Sequence, residues 1–147
     1  MKRLLFRAVI LAVLGGALAA VIAWPRLNDV ETGRTPEYPD LQVRTYTAPL
    51  PSIFAAAKRV VAQQPNWTLI GAGSGPAGSE IKAKAGIPVL PLKYAVTIHI
   101  KREKGQTLVR VRSKSEFGRW DFGQNARNIR RFQSALSANL QLARRSD

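Results

Sequence analysis

An apolar, uncharged run from Ala8 to Trp24 constrains this chain most, because such a run has no natural place on the surface of a folded domain. Lys2, Arg3 and Arg7 precede it. About 17–25 apolar residues cross a bilayer as a helix, and basic residues before a span favour a cytoplasmic N-terminus. We therefore predict that residues 1–24 are a single-pass anchor in the inner (cytoplasmic) membrane, with the C-terminal domain extracytoplasmic, in the periplasm.

A cleaved signal peptide is the alternative interpretation of the same segment. It needs a basic start, an apolar core of about 7–15 residues and small residues at the cleavage point. Residues 17–19 and 21–23 meet that last condition loosely. The run continues past Ala19 without polar residues, which favours the anchor. In both interpretations the rest of the chain is exported.

The rest of the chain divides into a tether and one domain. Residues 25–40 contain Pro25, Pro36, Pro39 and Gly33 without apolar periodicity, which predicts a tether. Residues 41–147 are enough for one small domain with one core. The sequence has no cysteine, which excludes disulfides, thiolate nucleophiles, cysteine-ligated zinc and iron–sulfur clusters. We predict no cofactor and no metal site.

Hydrophobic patterning of residues 41–147 predicts an α+β domain. Residues 42–47 alternate as a strand, residues 49–61 carry a helical apolar stripe, and residues 67–70 and 80–85 are short strands separated by a glycine-rich connection over residues 71–78. The clearest hairpin runs from Tyr94 to Ser113 and turns at residues 103–106. A helix follows over residues 122–143. Short, uncrossed connections favour two layers, an antiparallel sheet with two helices on one face.

Positive charge is the second large feature of the chain. The formal net charge is +14, and basic residues outnumber acidic ones from Lys101 onward. Such a field attracts anionic membrane surfaces and polyanions, and predicted export argues against nucleic acid as the partner. We expect an anionic lipid, an envelope polymer or a partner protein, although basic composition also serves general solubility. The predicted basic face consists of Lys101, Arg110, Arg130 and Arg131.

The densest segment for motifs is residues 112–132. Its distinctive residues are Arg112, Ser113, Ser115, Gly118, Asp121, Gly123, Asn125, Arg127 and Phe132. In this order they resemble the signature of the family catalogued as domain of unknown function 1499, which leads from a strand into a C-terminal helix. The resemblance covers residues 43–142. It implies the fold and export of that family, whose activity is uncharacterised.

Two interpretations remain open for residues 112–132, the corner between the last strand and the last helix. In the structural one, Ser113 and Ser115 bond the turning backbone, and Asp121 caps the last helix with Gln124 as its reciprocal partner. Arg112 or Arg127 then pairs with Asp121. In the functional one, the basic and polar side chains of the corner surround a helix N-terminus that binds an anion. Exposed Phe117, Trp120 and Phe122 would then rest in lipid headgroups or stack on a sugar.

Catalytic machinery is sparse. His99 is the single histidine, and its place in an alternating strand favours a core or sheet-face position over a catalytic base. We assign no catalytic residue and expect a non-catalytic binding domain. The alternatives are a small hydrolase or transferase that uses His99 or the Asp121 corner, and a structural subunit of a membrane assembly.

Overall fold

A computed structural model describes residues 2–23, 27–88 and 90–145, and within these ranges it contains three helices and a six-stranded sheet. The helices are α1 (Lys2–Ala23), α2 (Leu50–Gln63) and α3 (Gln124–Arg145). The strands are β1 (Asp29–Glu31), β2 (Arg44–Tyr46), β3 (Trp67–Gly75), β4 (Gly78–Ile87), β5 (Leu90–Glu103) and β6 (Gln106–Ser115).

The sheet is antiparallel throughout and follows the order β1-β6-β5-β4-β3. β2 also pairs with β6, beside β1 and closer to the start of β6. β5 and β6 form the predicted hairpin, in which Glu103 pairs with Gln106. Lys104 and Gly105 both have positive φ there, the conformation of the tight two-residue turns that match strand twist.

Both α2 and α3 pack on one face of this sheet, which confirms the predicted α+β architecture. Along β5 the buried residues alternate as Tyr94, Val96, Ile98 and Ile100. The facing helices bury their own apolar stripes, and the Trp67 and Phe132 rings stack with centroids 6.4 Å apart. The other face of the sheet carries no helix of the described part of the domain. We call that second face the open face.

Residues 29–40 differ from the predicted tether. β1 pairs with the end of β6, and Val30 and Thr32 are buried. The Thr32 hydroxyl accepts a hydrogen bond from Val111 N, and Thr32 N donates to Val111 O. The segment therefore belongs to the domain. A three-residue strand paired to a distant one has too short a pattern to be seen in the sequence.

The glycine-rich stretch also differs from its prediction. β3 continues through Gly71 and Gly73 to Gly75, all paired with β4, instead of ending at Ile70. A bulge between Leu69 and Gly71 shifts the register. Because β4 offers a full row of backbone partners, the ladder forms in spite of the low strand propensity of glycine.

α1 lies within the predicted anchor. Trp24, the last residue of that anchor, and Pro25 of the predicted tether lie outside the described residues. Among the described residues, no helix combines the length and the apolar character needed to cross a membrane. The transmembrane span therefore stays a prediction.

Candidate functional site

The corner between β6 and α3 is a buried network of neutral polar side chains. Ser113 Oγ donates to Asn125 Oδ1 at 2.8 Å, and Asn125 Nδ2 donates to Ser115 Oγ at 3.2 Å. Asn128 Nδ2 donates to Ser113 Oγ at 3.2 Å and accepts at Oδ1 from Gln124 Nε2. Ser113 and Asn125 are fully buried. Because buried polar groups are stable only when bonded, this network fixes the angle between strand and helix.

Asp121 holds the start of α3. It is buried, and its carboxylate accepts from Gly123 N at 2.9 Å and from Asn125 N at 2.6 Å. These bonds satisfy backbone N–H groups that a helix start leaves without partners. Gln124, the predicted reciprocal partner of Asp121, does not complete the cap. Its side chain hydrogen-bonds Arg127 and Asn128 instead.

The predicted ion pair at Asp121 is wrong for both arginines. Arg112 makes a two-point ion pair with Asp29, and Arg127 Nε donates to Gln124 Oε1 at 3.1 Å. Arg112 alternates with Ser113 along β6 and so lies on the open face, away from the corner. Asp121 is left bonded to backbone alone among the described hydrogen bonds.

The geometry of the corner favours its structural interpretation. A helix N-terminus attracts an anion through its unsatisfied N–H groups, but here the Asp121 carboxylate already accepts from two of them. Gly118 and Gly123 have φ of 83° and 74°, which suits the turn that leads the chain into α3.

Burial raises the pKa of the Tyr94 phenol near this corner, and the Asp121 charge acts in the same direction.

The open face carries the concentrated positive charge of the domain. Alternation along β4, β5 and β6 places seven basic side chains on it, at positions opposite in phase to the buried ones. Register sets them side by side, with Thr97 between Lys82 and Arg112, and Ala95 between Lys84 and Lys114. The seven are Lys82, Lys84, Lys93, Lys101, Arg110, Arg112 and Lys114.

Acidic side chains neutralise part of this face. Lys82 Nζ forms an ion pair with Glu80 Oε1 at 3.0 Å, and Lys84 Nζ forms one with Glu116 Oε1 at 2.9 Å. Arg110 Nε lies 3.7 Å from Glu31 Oε1. Arg112 pairs with Asp29, and its hydrogen bonds hold the pKa of that carboxyl below its ordinary value. Within the described ranges, no acidic side chain forms an ion pair with the other three, Lys93, Lys101 and Lys114.

The predicted basic face does not form one surface. Lys101 and Arg110 lie on the open face, whereas Arg130 and Arg131 lie on the exposed side of α3, which packs on the opposite side of the sheet. Arg130 is also engaged, because it makes a two-point ion pair with Asp40 at 2.7 and 2.9 Å. The prediction missed four lysines of the open face, which alternation along β4, β5 and β6 could have indicated: Lys82, Lys84, Lys93 and Lys114.

His99 lies on the open face, where its side chain is half exposed. Its Nδ1 is 3.4 Å from Glu80 Oε2, and both residues line a cavity of about 410 Å³ with Lys101 and Arg110. Asp121 lies on the side of the sheet that the helices cover. His99 and Asp121 are therefore on opposite sides of the sheet and cannot act in one catalytic site. In the described part of the chain, no group of three histidine or acidic side chains is arranged to hold a metal ion.

Comparison with known proteins agrees with the motif of the corner. Residues 22–136 match the family model described as "Protein of unknown function (DUF1499)". That match includes α2, the whole sheet and most of α3. No curated protein matches the chain. Since the family match covers most of its length, the chain belongs to the DUF1499 family.

Proposed function

We propose that this protein is a non-catalytic binding domain whose open face takes an anionic component of the cell envelope. One observation carries the proposal: both packed helices lie on the same side of the sheet, and the uncovered side presents seven basic residues. Lys93, Lys101 and Lys114 form no ion pair with a described acidic side chain, and the acidic cross-strand neighbour of Lys114, Asp29, is already paired with Arg112. A flat array of such charges suits repeated phosphate or carboxylate groups on an extended ligand.

We further propose that α1 anchors this domain in the inner membrane, with the domain on the periplasmic side. The support is the sequence: Lys2, Arg3 and Arg7 stand before the uncharged run. The intact mass of the chain purified from membranes tests this, because retention of residues 1–23 is expected. Loss of these residues would support cleavage instead.

The binding experiment uses the full chain in nanodiscs of zwitterionic lipid. We expect it to bind polyphosphate, polygalacturonate or phosphatidylglycerol vesicles, with affinity falling steeply as salt rises to about 0.5 M. The three probes separate a phosphate polymer, a carboxylate polymer and a lipid surface. Absence of salt-sensitive binding to all three would contradict the proposal.

A charge-matched pair of variants localises the binding. Lys101→Glu with Lys114→Glu changes the open face, and Lys58→Glu with Arg131→Glu makes the same change in net charge on the helix side. We expect a large loss of affinity in the first variant and a small one in the second. Equal losses would show that net charge, and not the open face, attracts the ligand.

A further inference from the structure

Exposed apolar side chains cluster at the end of the sheet where β6 leads into α3. Phe117 is 69% exposed, Phe122 52%, Trp120 38% and Leu90 53%. The Trp120 and Phe122 rings meet edge to face with centroids 6.0 Å apart. The four side chains line one cavity of about 410 Å³, and we call this cluster the aromatic end. Exposed apolar clusters of this kind mark interaction sites.

Hydrogen bonds constrain the backbone around Phe122 at the aromatic end. Phe122 has a φ of 49°, which is uncommon for a bulky residue. The hydrogen bonds of Asp121 to Gly123 N and Asn125 N hold the segment on either side of it in place. The Phe122 ring is thus presented to the exterior from a hydrogen-bonded turn, as suits a contact surface.

The chain from α1 joins the domain at this same end. Asn28 O accepts from Ser115 N at 2.8 Å, and Asn28 Nδ2 donates to Gly118 O at 3.1 Å. Residues 24–27 alone separate Ala23 from Asn28. Even fully extended, that connection covers at most about 18 Å. The aromatic end therefore stays close to the end of α1.

We infer that the aromatic end inserts into the headgroup region of the bilayer that holds α1. This inference rests on the anchor proposed above. Tryptophan and other aromatic side chains favour the membrane interface, where one part of the ring is apolar and another is wet. Arg119 and Arg127 are exposed at the same end, where they can meet lipid phosphates. The open face then remains available to a second ligand.

Tryptophan fluorescence of the full chain in vesicles tests the inference. The chain has Trp24, Trp67 and Trp120, so a Trp24→Phe variant leaves buried Trp67 and the reporter Trp120. A second variant, Trp24→Phe with Trp120→Phe, gives the Trp67 signal for subtraction. We expect lipids brominated near the headgroup to quench Trp120 severalfold more than Trp67, and aqueous iodide to quench Trp120 weakly.

Co-flotation of the chain with the vesicles distinguishes failure of the proposed anchor from failure of this inference alone. A chain that does not co-float overturns the anchor and, with it, this inference. A chain that co-floats while Trp120 responds to iodide and not to brominated lipid overturns the inference alone.

Matched variants connect the effect to the aromatic end. Leu90→Ser with Phe117→Ser removes two exposed members of the cluster, and we expect Trp120 quenching by brominated lipid to fall severalfold. Leu142→Ser removes an exposed apolar side chain near the other end of α3 and is expected to leave it unchanged. Equal quenching in both variants would contradict the inference.

Discussion

At the scale of single residues, Asp121 shows how a buried carboxyl group is held by backbone hydrogen bonds, with no ion pair to it among the described residues. Its carboxylate accepts two backbone N–H groups at the start of α3, at 2.9 and 2.6 Å. Charge-assisted bonds of this kind are stronger than neutral ones. Because this carboxylate already accepts from N–H groups that a bound anion would need, the geometry favours a structural role for the corner.

Replacement of Asp121 is therefore expected to be costly. Asp121→Ala leaves two buried N–H groups without an acceptor, which should lower the free energy of unfolding by about 1–3 kcal/mol. Asp40→Ala, which removes an exposed partner of Arg130, should cost under about 1 kcal/mol. Chemical denaturation of the full chain in detergent, followed by Trp67 emission, compares them. Equal effects would contradict the role given to Asp121.

Gly78 gives a second prediction at this scale. Its φ is 124°, and an added Cβ would lie 2.6 Å from Ile100 O, a backbone atom that cannot move away cheaply. Gly78→Ala should destabilise the domain by about 1–3 kcal/mol. In Gly73→Ala the new Cβ meets nothing within 4 Å, so stability should stay within about 1 kcal/mol. The same denaturation assay distinguishes the two, and an unchanged Gly78→Ala would refute the close approach.

At the scale of elements, β1 is held to β6 by three residue pairs and by the ion pair of Asp29 with Arg112. The pKa of Asp29 is lowered in the folded state by the hydrogen bonds from Arg112. A lowered folded pKa means that the pair stabilises the fold above the unfolded pKa of about 3.9 and ceases to do so as pH falls through the folded pKa.

This linkage predicts how an Asp29→Asn variant behaves. At pH 6 it should be less stable than the parent chain by at most about 1 kcal/mol, because Arg112 is half exposed. Between pH 4 and pH 2 the difference should shrink, since the parent alone loses the ion pair. Unfolding free energies measured across that range provide the check. A difference that is constant with pH would exclude the Asp29–Arg112 pair as its source.

The elements also show what a sequence pattern can reveal. Alternation at Tyr94, Val96, Ile98 and Ile100 predicts β5 because the period of two is local. The partner of Arg112 is different: Asp29 lies in a short strand far away in sequence, and only the sheet register brings them together. Local chemistry likewise predicts the Asp121 cap, and local alternation places Arg112 and Ser113 on opposite sides of β6. Which of those two sides the helices cover depends on contacts between distant parts of the chain.

At the scale of the whole molecule, the domain is asymmetric. One side of its sheet is covered by α2 and α3 and is apolar inside, while the open face is basic and carries no helix of the described part of the domain. Composition alone predicts an attraction to anions. It does not reveal that Lys101 and Arg130 lie on opposite sides, because that depends on which face the helices cover. The predicted basic face therefore divides between the open face and the exposed side of α3.

Lysine labelling tests the central claim, that the open face is the anion-binding surface, most directly. The full chain in nanodiscs is acetylated with and without polyphosphate, and mass spectrometry gives the rate at each lysine. We expect polyphosphate to slow the modification of Lys93, Lys101 and Lys114 severalfold and to leave Lys58 on α2 unchanged. Equal protection of Lys58, or no protection on the open face, would contradict the account.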